Sequence, residues 1–293
     1  MLWRYLFPQM RKLTFLYIFL LTGFLGCVPD GKENPGQNTT KVTIPQLGNT
    51  SPTSYPGMTL VWSDEFEGSS LNQNFWSYET GNGTNGWGNN ELQFYRTENT
   101  GLQDGNLIIT AKKEPFGGKE YTSSRIITKN KKQFQYGRVD IRAALPKGQG
   151  IWPALWMLGS NFDTVNWPAC GEIDIMEMIG GNGREKTVYG TAHWLHDGNH
   201  AEYKGEYSLA SGTLSDQFYV YSIVWDDKSI RWYIDNKQYH VIDTTPAQLD
   251  EFRKSFFFVF NVAVGGNWPG SPNATTTFPQ HMIVDYIRVF QNN

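Results

Sequence analysis

The chain has 293 residues, of which 18% are charged and 15% aromatic, and its formal net charge at pH 7 is −3. This composition is too apolar for a disordered protein, and the length allows a single domain with a substantial core. The small negative charge excludes the basic surface that is typical of nucleic-acid-binding proteins, and two cysteines exclude a disulfide-rich scaffold.

Residues 1–26 have the pattern of a secretory signal peptide. Arg4, Arg11 and Lys12 precede an uncharged, largely apolar stretch. This stretch is slightly shorter than the roughly 20 residues of a membrane-spanning helix, which is the alternative interpretation. The segment Phe24-Leu25-Gly26-Cys27 resembles the cleavage box of bacterial lipoproteins. It predicts a lipid on Cys27, export, and attachment to a bacterial membrane or the cell surface.

Composition changes twice after the signal peptide. Residues 27–57 are rich in Pro, Gly, Asn, Thr and Ser, which is typical of a flexible tether. From residue 58 onward, short alternating runs such as Phe218–Trp225 and Ile230–Ile234 recur between turn signals. We therefore predict one all-β domain at 58–293, built as a two-sheet sandwich. The one persuasive helix begins at Thr245-Pro246, with the threonine as N-cap and the proline as first helical residue.

The segment Gly171–Gly180 carries the strongest functional pattern. Glu172 and Asp174 alternate with isoleucines, so on a strand these two acids share one face. Glu177 is out of phase by one residue, and a regular strand would bury it without a partner, which is energetically costly. A β-bulge near Met176 would return Glu177 to the acidic face.

Three carboxylates on one face of a strand are compatible with a catalytic site, a calcium site or a solvated face. Two of them at about 5–5.5 Å would form the nucleophile and the acid/base of a retaining glycosidase, and their repulsion would raise at least one pKa. The same acids could bind calcium or form a solvated face. The apolar segment Ile151–Leu158 argues against a solvated face, but the spacing alone does not choose among the three.

Residues Glu172–Glu177 spell E-I-D-I-M-E, which resembles the signature of glycoside hydrolase family 16, most closely its laminarinase-like endo-1,3-β-glucanases. Further matching segments extend this resemblance over residues 58–291: Trp62–Phe66, Gly86–Gln93, Gly148–Trp156, Trp167–Cys170, Asn261–Gly270 and Val284–Val289.

The resemblance implies a β-jelly-roll sandwich with a concave substrate cleft. It also implies retaining endo-hydrolysis of laminarin-type 1,3-β-glucan, with mixed-linkage 1,3-1,4-β-glucan as a further substrate. Cleavage of another β-linked algal polysaccharide such as agarose, transglycosylation, and sugar binding without catalysis are the alternative functions. The glucan is the expected partner, together with the membrane, and we expect a monomer that binds no nucleic acid.

The resemblance further implies roles for individual residues. Glu172 would be the nucleophile, Glu177 the general acid/base, and Asp174 the residue that hydrogen-bonds and tunes the nucleophile. The implied sugar-binding residues are Trp152, Trp156, Arg125, Asn90, His193, Trp194, Asn261 and Trp268. The alternatives are core tryptophans, a strand-end salt bridge for Arg125, and a purely structural role for His193.

Many members of this family bind a structural calcium ion far from the catalytic residues. The matching positions are the side chain of Asp285 and backbone oxygens near Glu67 and Gly105, and calcium there would add stability rather than chemistry. No cofactor is expected for catalysis. The remaining histidines show no metal-ligand spacing in the sequence: His196, His200, His240 and His281.

Overall fold

The computed structural model describes residues 41–293. The predicted signal peptide at 1–26, the lipidation site Cys27 and the tether residues 28–40 lie outside the described residues. Within residues 41–293, helices are too short or too polar for any of them to traverse a bilayer.

Strands dominate the described part of the chain. The first nine strands are β1 (Met58–Asp64), β2 (Ser77–Glu79), β3 (Gln93–Tyr95), β4 (Thr100–Gln103), β5 (Asn106–Ala111), β6 (Tyr121–Ser123), β7 (Arg125–Ile127), β8 (Gln133–Phe134) and β9 (Gly137–Ala144). The next nine are β10 (Ile151–Gly159), β11 (Glu172–Glu177), β12 (Thr187–His196), β13 (Asn199–Ser208), β14 (Tyr219–Trp225), β15 (Ser229–Ile234), β16 (Lys237–Asp243), β17 (Phe256–Val264) and β18 (Gln280–Asn292).

The helical segments of the same region are all short. They are an irregular turn at Gly86–Asn90, the α-helix α1 (Phe162–Val165), and 3₁₀ helices at Thr97–Asn99, Arg184–Lys186 and Ala247–Arg253. The helix predicted near residue 245 is therefore a 3₁₀ helix. Thr245 does not cap it, because its hydroxyl donates to the carboxylate of Asp243 instead.

Two eight-stranded antiparallel sheets pack face to face in residues 41–293. Sheet A has the order β13-β12-β11-β10-β17-β7-β2, with β8 also paired to β17. Sheet B has the order β16-β15-β14-β9-β18-β5-β4, with β1 also paired to β18. A small parallel pair, β3 and β6, completes the described strands. The predicted all-β two-sheet sandwich is thus confirmed.

Aromatic side chains fill the space between the sheets. Trp62 of sheet B stacks on Phe258 of sheet A with ring centroids 5.9 Å apart. Phe260 lies on the same strand as Phe258, β17, and its ring centroid is 5.0 Å from that of Trp76. All four side chains are buried, and residues of this size dominate the apolar area that a core removes from water.

The segment that precedes β1 belongs to the folded unit, which begins at Val42. The Ser51 backbone N–H donates to the Tyr286 hydroxyl at 2.6 Å, and the Tyr55 hydroxyl donates to Asp140 at 2.7 Å. The predicted domain boundary at residue 58 is therefore corrected to Val42. Composition missed it because the partners that hold this polar segment are distant in sequence.

The sheets approach closely beneath β12. A Cβ atom at Gly190 would lie 2.4 Å from Cδ1 of Trp232 and 2.7 Å from the hydroxyl of Tyr239. Trp232 is fully buried and donates its Nε1–H to the backbone carbonyl of Asp174 at 2.7 Å. Because glycine has no Cβ, position 190 leaves room for the Trp232 indole, which donates a hydrogen bond to β11.

We predict that Gly190→Ala destabilises the fold by about 1–3 kcal/mol, because the methyl group must displace the Trp232 ring. Gly101→Ala is the matched control, since it also lies in a strand and its Cβ would meet nothing within 4 Å. It should change stability by less than about 0.5 kcal/mol. Chemical denaturation of both variants measures the difference, and equal effects would refute the steric argument.

Candidate active site

Strand β11 contains one residue more than its neighbours can pair. Across from β10, Asp174 pairs with Trp156 and Met176 pairs with Leu155, which leaves Ile175 as the extra residue. The register to β12 shifts over the same interval. This is a β-bulge at the position that the sequence predicts, and it changes the phase of every later side chain on the strand.

The bulge brings the three acids to one side of sheet A. Glu172, Asp174 and Glu177 all line a cleft with a volume of about 970 Å³. The intervening Ile173 and Ile175 are fully buried in the core. The prediction that Glu177 rejoins the acidic face is therefore confirmed.

Burial raises the pKa of the two glutamates to about 8. The negative charge of Asp174 is the second cause at both residues. Neighbouring basic side chains oppose the increase at both glutamates. His193 and Arg125 lower the pKa of Glu172, whereas His193 and Lys204 lower that of Glu177.

Asp174 lies between the two glutamates. Burial raises its pKa to about 8, a hydrogen bond with Glu172 opposes this increase, and the charge of Glu202 adds to it. Three carboxyl groups this close in a dry environment cannot all carry a negative charge near neutral pH. The row therefore holds at least one proton in that range.

His193 lies on β12 directly opposite Glu172. Its Nε2 lies 3.0 Å from Oδ2 of Asp174 and 3.7 Å from Oε1 of Glu172. Glu177 pairs with Tyr189, four residues before His193 on β12, so among the three acids His193 contacts Asp174 and Glu172.

The predicted tryptophans Trp152 and Trp156 line the cleft, since alternation on β10 turns both away from the core. Trp152 donates its Nε1–H to Oε1 of Glu177 at 2.9 Å. Trp156 donates to Oδ1 of Asn261 at 2.8 Å, and Asn261 itself lines the cleft. These indoles are thus oriented by side-chain hydrogen bonds and remain half-buried.

Arg125 and Trp268 also line the cleft as predicted. The Arg125 guanidinium lies between the rings of Trp87 and Trp156, at 4.6 and 4.8 Å from their centroids. It also forms an ion pair with Glu79 across strands β7 and β2 at 2.5 Å, so the salt-bridge alternative describes a second contact of the same side chain.

Trp268 forms the other end of this aromatic surface. Its ring lies edge-on to Trp152, with centroids 5.5 Å apart, and 4.9 Å from Tyr189. The Lys204 ammonium lies 5.3 Å from its centroid.

Two predicted sugar-binding residues do not line the cleft. Trp194 follows the cleft-facing His193 on β12, so alternation turns it to the opposite side, where it packs on Phe252. Asn90 is exposed and donates its amide to Asn267 at 2.9 Å, while the preceding Asn89 lines the cleft. The prediction for Trp194 is therefore wrong, whereas the sugar-binding role of Asn90 stays a prediction.

Several residues that line the cleft were not among the predicted site residues. Trp87 and Glu91 lie in the Gly86–Gln93 segment that the family resemblance had already marked. His200, Glu202 and Lys204 could have been found from the Asp197-Gly198 pair, a sequence typical of a two-residue hairpin turn. Both residues have positive φ, and the turn aligns β13 with β12.

The three residues predicted for calcium are placed as follows. Oδ2 of Asp285 accepts a hydrogen bond from Arg142 at 2.7 Å. The Glu67 carboxylate lies beside Gly105, within 3.1 Å of where a Cβ would be. Asp285 is one residue beyond the last β18–β5 pair, at the end of β5 that adjoins Gly105. All three positions offer oxygen donors, as calcium requires, and Arg142 already balances the carboxylate of Asp285.

The profile of Glycosyl hydrolases family 16 matches residues 86–288. The chain belongs to this family. The beta-glucanase of Rhodothermus marinus is 36% identical over 297 residues, which cover 97% of this chain and 96% of that protein. The clotting factor G alpha subunit of Tachypleus tridentatus is 40% identical over 240 residues, or 81% of this chain but 34% of that protein.

Solved structures of the family share the fold. The laminarinase catalytic domain from Thermotoga maritima MSB8 is 46% identical to this chain with a TM-score of 0.75, and the match covers 80% of this chain and 99% of that one. The jelly-roll form of the predicted sandwich is confirmed by this likeness.

We predict that Glu177→Gln stabilises the protein at alkaline pH. Burial raises the pKa of Glu177 from 4.5 to about 8, so folding retains a proton that the unfolded chain releases. The stability of the native protein therefore falls as pH rises from about 4.5 to about 8. The variant lacks this pH-dependent loss. Its free energy of unfolding should exceed that of the native protein by about 2 kcal/mol at pH 8.5 and by little at pH 4.5.

Urea unfolding at both pH values measures this effect. Glu120→Gln is the control, because Glu120 is exposed and lies outside the cleft. If Glu177→Gln raised the free energy of unfolding equally at both pH values, the carboxyl group would not titrate as described.

Proposed function

We propose that this protein is a retaining endo-glycosidase that hydrolyses laminarin-type 1,3-β-glucan, with mixed-linkage 1,3-1,4-β-glucan as a second substrate. One observation carries the proposal. The β11 bulge presents Glu172 and Glu177, with Asp174 between them, to a cleft whose walls are indole rings. The beta-glucanase and the laminarinase named above support a β-glucan as the substrate.

The two glutamates divide the chemistry of a double displacement. Glu177 gives its proton to the departing glycosidic oxygen while Glu172 attacks the anomeric carbon and forms a glycosyl ester. Glu177, now ionised, then takes a proton from the water that hydrolyses this ester, and Glu172 is released as carboxylate. The configuration at the anomeric carbon is inverted twice and hence retained.

The surroundings favour this division of roles. Glu177 is buried, and a raised pKa keeps a proton available on a general acid near neutral pH. Glu172 is half-buried, and the Arg125 guanidinium favours its ionised form, although burial and the charge of Asp174 raise its pKa to about 8. Asp174 contacts both Glu172 and His193 and holds the nucleophile in place.

The cleft walls suit a chain of sugar rings. The indoles of Trp152, Trp156 and Trp268 offer apolar faces to the C–H faces of pyranose rings. Arg125 and Asn261 offer polar atoms to hydroxyl groups. A volume of about 970 Å³ lies at the upper end of the range for small-molecule sites, as expected for an oligosaccharide.

We expect Glu172→Gly and Glu177→Gly to reduce laminarin hydrolysis at least about 10³-fold, because each removes a group that takes part in bond cleavage. Azide separates the roles. On an activated aryl β-laminarioside, whose leaving group departs without a proton donor, it should restore turnover in Glu172→Gly with an α-glycosyl azide as product, and in Glu177→Gly with a β-glycosyl azide. Reducing-end assays and NMR of the products measure this.

A β-glycosyl azide from Glu172→Gly and an α-glycosyl azide from Glu177→Gly would show that the two glutamates have the opposite roles. Near-native turnover in either variant would refute the mechanism. Glu206→Gly on β13 is the control for the substitution itself, since Glu206 does not line the cleft.

A substrate panel tests the proposed specificity. We expect reducing ends to appear from laminarin and from mixed-linkage glucan and none from agarose, with oligosaccharides of several lengths among the early products. Mass spectrometry of the products records both results. Release of a single small product from the start would refute endo cleavage, and agarose cleavage would refute a glucan-specific cleft.

We further propose that the protein is exported as a monomeric lipoprotein with lipid on Cys27. The basic residues before an apolar run and the Phe24–Cys27 box support this proposal. Mass spectrometry of the mature N-terminal peptide should find diacylated Cys27, and an unmodified cysteine would contradict it.

A structural calcium ion near Asp285, Glu67 and Gly105 is also proposed. The neighbouring oxygen donors support it, and binding there would stabilise the folded state by mass action. Added calcium should raise the melting temperature of protein stripped with EDTA, and Asp285→Asn should abolish this increase. An unchanged melting temperature would reject the site.

A further inference from the structure

The hairpin β12–β13 brings three potential metal ligands together at one side of the cleft. Its register pairs His193 with Glu202, and His200 is the diagonal neighbour. Alternation places these side chains on the same face, and all three line the cleft. The sequence distance of seven residues between the histidines hides this proximity, because the turn folds one strand back on the other.

The ligand atoms already converge on one point. Nδ1 of His193 lies 2.8 Å from Nε2 of His200 and 3.6 Å from Oε2 of Glu202. The three ligand atoms lie within 4.8 Å of one another. In a tetrahedral zinc site, ligand atoms at metal distances near 2.0–2.1 Å are about 3.3 Å apart. Small side-chain rotations therefore suffice to enclose an ion.

The second ring nitrogen of His193 is held in the manner of a metal-bound histidine. Its Nε2 lies 3.0 Å from Oδ2 of Asp174. A histidine that binds a metal through one nitrogen usually donates the other N–H to a carboxylate, which fixes the ring and its tautomer. With the proton on Nε2, the Nδ1 lone pair of His193 points toward His200 and Glu202.

The other two ligands are also oriented. The His200 ring lies 4.6 Å from the ring of Trp167, and the other carboxylate oxygen of Glu202 lies 3.8 Å from the Lys204 ammonium. The contact of His193 Nδ1 with His200 Nε2 at 2.8 Å holds one proton between the two nitrogens. On metal binding this proton moves to Nδ1 of His200, so Nε2 becomes a ligand.

We infer that His193, His200 and Glu202 form a binding site for one divalent transition-metal ion of the zinc type, with water in the fourth position. Two imidazole nitrogens and one carboxylate match the ligand preference of zinc, whereas calcium prefers oxygen ligands alone. The site is distinct from the proposed calcium position and from the two glutamates of the hydrolytic reaction.

Metal binding should also slow glucan hydrolysis. The ion would fill the cleft beside Glu172 and would fix His193 against Asp174, so a sugar ring could no longer occupy that side. This consequence rests on the proposed function, whereas metal binding itself does not.

Isothermal titration of metal-free protein with zinc chloride tests the site. We expect saturation at one ion per chain, and at least about tenfold weaker binding in His200→Ala and in Glu202→Gln. His196→Ala is the matched control, because His196 lies on the same hairpin and pairs with Asp197 instead. It should bind zinc as the native protein does.

The outcomes separate this site from its alternatives. Absence of saturable binding, or native affinity in His200→Ala, would overturn the inference. Zinc binding that is lost in Glu172→Gln but kept in His200→Ala would assign the ion to the neighbouring group Glu172, Asp174 and His193, and would also overturn it.

Zinc inhibition of laminarin hydrolysis, measured for each variant against its own zinc-free rate, should disappear in His200→Ala and persist in His196→Ala. A protein that binds zinc but leaves laminarin intact would retain the site and refute the proposed function. A protein that hydrolyses laminarin but does not bind zinc would support the proposed function and refute the metal site.

Discussion

The extra residue of β11 is the constraint on which the cleft depends. A strand repeats every two residues, so acids at positions 172, 174 and 177 can share a face only if one residue leaves the register. Ile175 is that residue, and it remains buried in the core. The Trp232 indole, from the opposite sheet, donates to the carbonyl of Asp174 at the start of the bulge. The core and the site are therefore built by the same contacts.

Burial of the acidic row sets its chemistry. Three carboxyl groups in a dry environment repel one another, and the row lowers its energy by retaining protons. Cations at its two ends, Arg125 near Glu172 and Lys204 near Glu177, limit how many are retained. This balance is what the proposed hydrolysis needs, since one carboxyl must attack as an anion while the other gives up a proton.

His193 connects this row to the edge of the cleft. It contacts Asp174 with one nitrogen and His200 with the other, so it links β11 to the outer strand β13. A change at the hairpin, such as the proposed binding of a metal ion, would therefore reach the proposed nucleophile through a single side chain. The same hairpin supplies Lys204, which lies over the Trp268 ring.

The sequence alone determined the fold class, the bulge and the acidic row, because the alternation of side chains and its interruption before Glu177 are local properties of the chain. It also placed Trp152, Trp156 and Arg125 in the cleft through the family resemblance. It misplaced Trp194, whose direction depends on the phase of β12 relative to His193.

Tertiary structure decided what depends on partners distant in sequence. The segment from Val42 to β1 is polar, yet it is ordered by contacts such as that of Ser51 with Tyr286, which lie far apart along the chain. The meeting of His193, His200 and Glu202 depends on the register of a hairpin. The shared pKa increase of the acids depends on how much water the assembled sheets exclude, and no local pattern in the chain encodes that.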